Sequence, residues 1–180
     1  VIECTGIALD LIDMRNHTGE HARMGAVDVV PFIPISGLTM AECVDLSHKY
    51  AIAVSQEFSL PVYLYANSAT TEQRVRLPDI RKGEYESIAK KITSEEWIPD
   101  YGPREFMPTM GATATGARSL LIAYNVNLNT DDKSKANSIA SKITTSGAIV
   151  KDLHRDIVRT EEGKPKRNTG RFDKFQAAAW

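Results

Sequence analysis

Short apolar runs alternate with helix-forming segments along this chain, and that alternation limits the fold more than any other feature of the sequence. Residues 26–35 are rich in Val and predict a strand, and the two prolines among them indicate an edge strand or a strand end. Thr39 and Glu42 form a capping box, which predicts a helix that runs to about Phe58. Residues 61–65 predict a second, buried strand. Strands that alternate with helices are typical of an α/β fold.

The rest of the chain continues this pattern less regularly. The further elements predicted from apolar spacing are helices over 1–14, 81–92 and 131–143 and strands over 119–128 and 172–180. We expect a domain boundary after Leu128, which divides the chain into residues 1–128 and 129–180. Because the sequence starts without Met inside a predicted helix and ends without a polar tail, we also expect a fragment of a longer protein.

Composition places the chain among globular proteins. Of its 180 residues, 42% are hydrophobic and 25% are charged, and the formal net charge is −1. These values are ordinary for a globular domain and give no sign of a nucleic-acid partner or an anionic membrane partner. No apolar run is long enough to span a bilayer, and the first residues do not form a signal peptide. We expect a cytoplasmic protein in which Cys4 and Cys43 are reduced thiols in the core.

Residues 15–25, which we call the charged segment, bring several titratable groups close together in the sequence. They include His17, Glu20, His21 and Arg23. Histidine titrates near neutral pH, and a neighbouring carboxylate or guanidinium changes its pKa, so this pattern suits a site that moves protons. A solvated connection between a helix and a strand is an equally good interpretation of the local composition.

A zinc site is a third interpretation of the charged segment. His17, Glu20 and His21 match the H-x-x-E-H pattern of one class of zinc peptidase. Two glycines in the segment argue against the rigid helix that this site needs, and no acidic third ligand follows in a convincing helix. Of the other histidines, His48 is predicted to lie on a helix surface and His154 in a solvated basic cluster.

Glycine and proline interrupt the pattern between residues 97 and 116, in a long loop with few charges. Glycines let the backbone approach a ligand closely, and side chains such as Phe106 and Met107 can lie against a flat ring. The loop lacks the G-K-[ST] sequence of a phosphate-binding P-loop. We therefore expect it to bind a flat ligand, with a purely structural crossover as the alternative. The candidate residues are Gly102, Pro103, Arg104, Glu105, Phe106, Met107, Pro108, Thr109, Met110 and Gly111.

Several separated segments resemble one family in their sequence, order and spacing. These segments are Leu11-Ile12-Asp13-Met14, Gly19-Glu20-His21, Arg23-Met24-Gly25-Ala26, Asp28-Val29, Pro31-Phe32-Ile33-Pro34, Pro61-Val62-Tyr63-Leu64-Tyr65, Arg81-Lys82-Gly83-Glu84-Tyr85-Glu86 and Gly111-Ala112-Thr113-Ala114-Thr115-Gly116-Ala117-Arg118. They are similar to the glutamate formiminotransferase domain over about residues 1–143. The resemblance implies two α/β subdomains. It also implies that this chain carries part of the N-terminal one, ferredoxin-like with a mixed sheet and helices on its outer face, and the start of the C-terminal one.

The resemblance also implies an activity and a set of partners. The family transfers a formimino group from N-formimino-L-glutamate to N5 of tetrahydrofolate in histidine degradation. By this resemblance His21 is the catalytic histidine, residues 102–111 border the folate, and the protein forms a homodimer or a larger homo-oligomer. Tetrahydrofolate is then a co-substrate, and the transfer needs neither a metal nor a nucleotide. A non-catalytic folate-binding or interaction protein of the same fold is the alternative, and Ala22 stands where many members have proline.

The residues of the charged segment can supply the chemistry of this transfer. His21 can accept a proton from N5 as a general base and then donate one to the leaving glutamate nitrogen as a general acid. Because the attacked amidine is cationic, the carboxylate of Glu20 can stabilise it. The guanidinium of Arg23 can bind a carboxylate of the glutamate moiety in a bidentate manner.

Overall fold

The computed structural model describes residues 1–19, 21–145, 147–150, 152 and 156–168. The chain divides into two compact units, Val1–Ile122 and Ala123–Trp180. The predicted strand over 172–180 and His154 lie outside the described residues.

The first unit alternates helices and strands as the sequence predicts. Its elements are α1 (Ile2–Leu11), β1 (Val29–Phe32), α2 (Met40–Phe58), β2 (Val62–Leu64), α3 (Leu77–Arg81), α4 (Glu84–Lys91) and β3 (Thr113–Ala117), with short 3-10 helices at Ala66–Ser68, Glu72–Arg74 and Glu95–Trp97. In the second unit the described residues contain α5 (Lys133–Ile143), whose N-cap Asp132 accepts a hydrogen bond from the backbone N–H of Ser134.

The three strands form a parallel sheet in the order β1-β3-β2. This arrangement confirms the predicted α/β class. It also places β1, with Pro31 in it, at an edge of the described sheet, where a residue without a backbone N–H is tolerated. Antiparallel pairing among the described residues of this unit is limited to two isolated bridges, Gly25 with Gly111 and Val62 with Tyr101.

The position of the central strand corrects the sequence prediction. We expected a loop to Gly116 and a strand over 119–128, whereas β3 is Thr113–Ala117 and residues 119–128 form no strand. The apolar side chains of that later segment, such as Ile122, are exposed. All five residues of β3 are buried, and all are small. At Gly116 the neighbouring backbone leaves no room for a side chain, because a Cβ there would be 2.1 Å from the carbonyl oxygen of Tyr65.

The predicted helix over 81–92 starts later in the structure: α4 begins at Glu84, and Arg81 is the last residue of the separate helix α3. Gly83 lies between α3 and α4 with a φ of +80°, a left-handed conformation that ends one helix and that glycine adopts without strain. Ile88 and Ile92, the C-cap of α4, are both buried.

Side chains on the two faces of the sheet belong to two core clusters. Val62 and Leu64 on β2 pack with residues of α2, whereas Tyr63 and Tyr65 point to the opposite face and pack with Ile80 and Ile88 of α3 and α4. Of the two cysteines, Cys43 is buried on α2 as predicted. The prediction for Cys4 is wrong, because its position on α1 is exposed.

Candidate functional site

The charged segment and residues 102–111 lie next to each other, because backbone hydrogen bonds join them near both ends of the charged segment. Before the segment, Met14 N donates to Thr109 O at 2.9 Å. After it, Ala26 N donates to Met110 O at 2.9 Å. The two stretches that the sequence analysis selected separately therefore form one surface of the first unit.

Two glycines permit the closest part of this contact. A Cβ at Gly25 would lie 2.2 Å from the carbonyl oxygen of Ala112. Gly111 has a φ of +70°, and a Cβ there would lie 2.3 Å from the carbonyl oxygen of Met24. Both positions need glycine, because the atoms in the way belong to the backbone and cannot move aside easily.

His21 is exposed within the charged segment, as is His17. Exposure leaves the imidazole of His21 accessible to a ligand on this surface. Glu20, the predicted partner of a cationic substrate group, lies outside the described residues. The three residues of the zinc pattern are therefore not all described.

Arg23 has two carboxylate partners that the sequence analysis did not anticipate. Its Nη1 lies 2.9 Å from Glu84 Oε2, and its Nη2 lies 2.7 Å from Glu86 Oε1. The hydrogen bonds that Arg23 donates to Glu86 raise the pKa of Arg23, and they lower the pKa of Glu86. Only 12% of the Arg23 side chain is exposed. Both terminal nitrogens of this guanidinium contact glutamates, so a substrate carboxylate that binds these nitrogens competes with Glu84 and Glu86.

Asp28 fixes the end of the charged segment, and sequence reasoning missed it. Its carboxylate accepts a hydrogen bond from the backbone N–H of Met24 at 3.0 Å and forms an ion pair with Arg81. Its φ of +54° is a left-handed conformation, which Asp tolerates better than most residues. The position of an Asp between a glycine turn and a strand was the available signal.

Arg104 has a structural role at the end of α4. Its guanidinium donates to the carbonyl oxygens of Ile92 and Thr93 and pairs with Glu95. An arginine in this position satisfies helix C-terminal carbonyls that have no partner within the helix. Glu105, the next residue, is exposed.

The apolar residues of 102–111 are only partly available to a ligand. Phe106 packs partly against the cluster that contains Tyr63, and Met110 packs partly against the cluster that contains Val54. Met107 and Thr109 are half-buried, and Pro108 is exposed. The loop lies beside the charged segment through the Thr109 and Met110 contacts.

His48 lies on α2 as a half-buried residue, and its Nδ1 lies 2.9 Å from the hydroxyl of Tyr101. The polar partner comes from a distant part of the chain, so helical spacing alone could not reveal it.

Among the described residues, no group of three or more His, Cys, Asp or Glu side chains is arranged to hold a metal ion. None of the described helices combines the length and the apolar character that crossing a bilayer requires.

Comparison with known proteins identifies the first unit. The family model for the formiminotransferase domain, N-terminal subdomain, matches residues 1–118. The chain is 43% identical to formimidoyltransferase-cyclodeaminase of Mus musculus over 173 aligned residues. This alignment covers 96% of this chain and 29% of the mouse protein. It is 48% identical to glutamate formimidoyltransferase of Streptococcus pyogenes serotype M1 over 140 aligned residues. This alignment covers 78% of this chain and 47% of the bacterial protein. The chain thus spans less than half the length of either relative. Because the match includes the charged segment, residues 102–111 and all three strands, the chain belongs to the formiminotransferase domain family and carries its N-terminal subdomain.

Proposed function

We propose that this protein is a glutamate formimidoyltransferase. It moves the formimino group of N-formimino-L-glutamate to N5 of tetrahydrofolate, a reaction of histidine degradation. The observation that carries the proposal is the family match over residues 1–118, which contains both stretches of the candidate site. The name of the Streptococcus pyogenes relative, glutamate formimidoyltransferase, supports the same activity.

The transfer forms one bond and breaks another at the formimino carbon. N5 of tetrahydrofolate attacks that carbon and loses a proton, and the glutamate nitrogen gains a proton as its bond to the carbon breaks. His21 serves as the base in the first step and as the acid in the second, so one imidazole returns to its starting state after each turnover. Its exposed position in a segment that is held near both ends supports this role.

Tetrahydrofolate binds along residues 102–111 in this proposal. The half-buried side chains of Phe106, Met107 and Met110 offer apolar surface beside the charged segment. Folate is a co-substrate, and the proposed steps use no metal. The glutamate carboxylates bind at Arg23, where one of its present carboxylate partners gives way. The carboxylate of Glu20 stabilises the cationic amidine in this proposal.

The proposal extends to the whole protein. We propose a cytoplasmic enzyme that forms a homodimer or a larger homo-oligomer and that binds neither nucleic acid nor membranes. The net charge of −1 is consistent with a protein that binds neither nucleic acid nor membranes.

A transfer assay on the full-length protein tests the function. The protein is incubated with N-formimino-L-glutamate and tetrahydrofolate, and formation of the N5-formimino product is followed. Parallel reactions replace the donor with N-formyl-L-glutamate, or omit it. Transfer from the formimino donor supports the proposal. Binding of a reduced folate in calorimetry without any transfer indicates the non-catalytic alternative, and absence of both binding and transfer contradicts the proposed function.

A further inference from the structure

Tyr85 lies at the start of α4, where it contacts both stretches of the candidate site. We propose that Tyr85 is a positioning residue that aligns residues 102–111 with the charged segment, so that bound folate meets His21. This inference rests on the proposed function, and it concerns a residue outside both stretches.

Two hydrogen bonds connect Tyr85 to the two stretches. Its phenolic hydroxyl donates to the carbonyl oxygen of Pro108 at 2.6 Å. Its backbone N–H donates to the carbonyl oxygen of Arg23 at 2.8 Å. One residue therefore holds the middle of the 102–111 loop and a position two residues after His21.

The ring of Tyr85 adds packing contacts to the same two stretches. It lies against Phe106 with ring centroids 5.6 Å apart and an angle of 48° between the planes. The guanidinium carbon of Arg23 lies 5.9 Å from the ring centroid, within the range of a cation–π contact. Glu84 and Glu86, the neighbours of Tyr85 in the chain, pair with the same guanidinium.

The position of Tyr85 is itself fixed by the core. Ile88, one helical turn further along α4, is buried in the cluster that contains Tyr63 and Ala114. Because α4 packs on the core, it holds the phenol of Tyr85 in a fixed position against the two stretches.

The phenol is suited to positioning rather than to proton transfer. Burial raises the pKa of Tyr85, and the charges of Asp13 and Glu86 raise it further, against the opposing effect of Arg15 and Arg23. The hydroxyl therefore stays protonated across neutral pH and remains a hydrogen-bond donor. Replacing Tyr85 should leave the pH profile of turnover unchanged in shape.

Tyr85→Phe is the sharpest test, because it removes the hydroxyl and keeps the ring. Tyr63→Phe is a matched control: the Tyr63 hydroxyl also donates to a backbone carbonyl, that of Trp97 at 2.9 Å, but it lies in the core. Burial raises the pKa of Tyr63 to about 12, so it too is a neutral donor. Both variants are made in the full-length protein and compared for reduced-folate affinity, turnover, pH profile and thermal midpoint.

The positioning role predicts a separation between the two variants. Tyr85→Phe should weaken reduced-folate binding about 3- to 10-fold, the range expected for one lost hydrogen bond, and should lower kcat with an unchanged pH profile. Tyr63→Phe should lower the thermal midpoint and leave folate affinity unchanged.

Three results would overturn the inference. If Tyr85→Phe changes only the thermal midpoint, Tyr85 has a structural role alone. If a limb of the pH profile disappears, Tyr85 transfers a proton instead of positioning the loop. If the wild type transfers formimino groups and both variants match it in every measurement, the positioning role fails while the proposed function stands. A wild type that neither binds folate nor transfers formimino groups would instead contradict both the positioning role and the proposed function.

Discussion

Gly25 illustrates what a single residue contributes to the candidate site. The sequence predicted it only as an interruption of the charged segment, because a local pattern cannot reveal which distant backbone will lie against it. In the structure it pairs with Gly111 in an isolated bridge, and carbonyl oxygens of Met110 and Ala112 lie where a Cβ would be. The absence of a side chain thus allows the charged segment to reach the end of the 102–111 loop.

Replacing Gly25 with alanine should therefore destabilise the first unit. The new Cβ would lie 2.2 Å from Ala112 O and 2.6 Å from Met110 O, so backbone has to shift. We expect the free energy of unfolding to fall by about 2–3 kcal/mol, as for severe overpacking. Chemical denaturation measures it, with Gly19→Ala as the control, because a Cβ at Gly19 would have its nearest neighbour at 3.6 Å. Equal stability of the two variants would contradict the close contact.

Among the elements, α2 was predicted from the sequence and β3 was not. Helix α2 was predicted to within a residue, because its start depends on a capping box and its length on local spacing. Strand β3 was missed because its residues are small. Thr113 and Thr115 direct their hydroxyls to carbonyl oxygens of the neighbouring strand region, a contact that only the assembled sheet creates. The break at Gly83 was missed because the apolar residues that predicted the helix, Tyr85, Ile88 and Ile92, all follow it and do not mark where the helix begins.

The capping box of α2 gives a prediction for an element. Thr39 Oγ1 accepts from Glu42 N at 3.2 Å, and Glu42 Oε2 accepts from Thr39 N at 2.7 Å. Thr39→Ala should lower the free energy of unfolding by about 1 kcal/mol. Thr71→Ala is the control, because Thr71 occupies the N-cap of a 3-10 helix without a side-chain cap bond. If denaturant titration finds the same small loss in the free energy of unfolding for Thr39→Ala and Thr71→Ala, that result would contradict the role of this cap.

In the first unit as a whole, Arg74 joins parts of the chain that are far apart in sequence. Its side chain is 6% exposed and pairs with Asp100 at 2.7 Å. It also donates to the carbonyl oxygens of Glu96 and Ile98. Asp100 in turn accepts a hydrogen bond from the backbone N–H of Leu64 on β2. No local pattern predicted this network, because each of its bonds connects different segments.

Arg74→Met should be the most destabilising of the stability variants. It leaves the carboxylate of Asp100, which is 8% exposed, buried without its cationic partner. We expect a loss of about 3–5 kcal/mol in the free energy of unfolding. Arg76→Met is the control: Arg76 is 74% exposed and lies 3.9 Å from Asp79, so its loss should cost under about 1 kcal/mol. A change below 1 kcal/mol for Arg74→Met in denaturant titration would contradict the account of this network.

The two stretches of the candidate site were selected from the sequence, whereas the particular contacts that join them were not predicted. The charged segment and residues 102–111 were chosen from composition and from a family resemblance, and the structure brings them together through Met14 and Ala26. Of the residues that hold them, Tyr85 carries no local signal of that role, and Asp28 carries only its position between a glycine turn and a strand. Their contacts arise from the packing of α4 and β1 on the same unit.

The most direct test of the central claim is the turnover of His21→Ala in formimino transfer, measured with His17→Ala as its matched control. Both histidines are exposed in the charged segment, and only His21 has the proposed role as base and acid. His21→Ala should turn over about 10²–10⁴-fold more slowly with reduced-folate affinity preserved, whereas His17→Ala should turn over at nearly the wild-type rate. Wild-type turnover by His21→Ala would contradict the account.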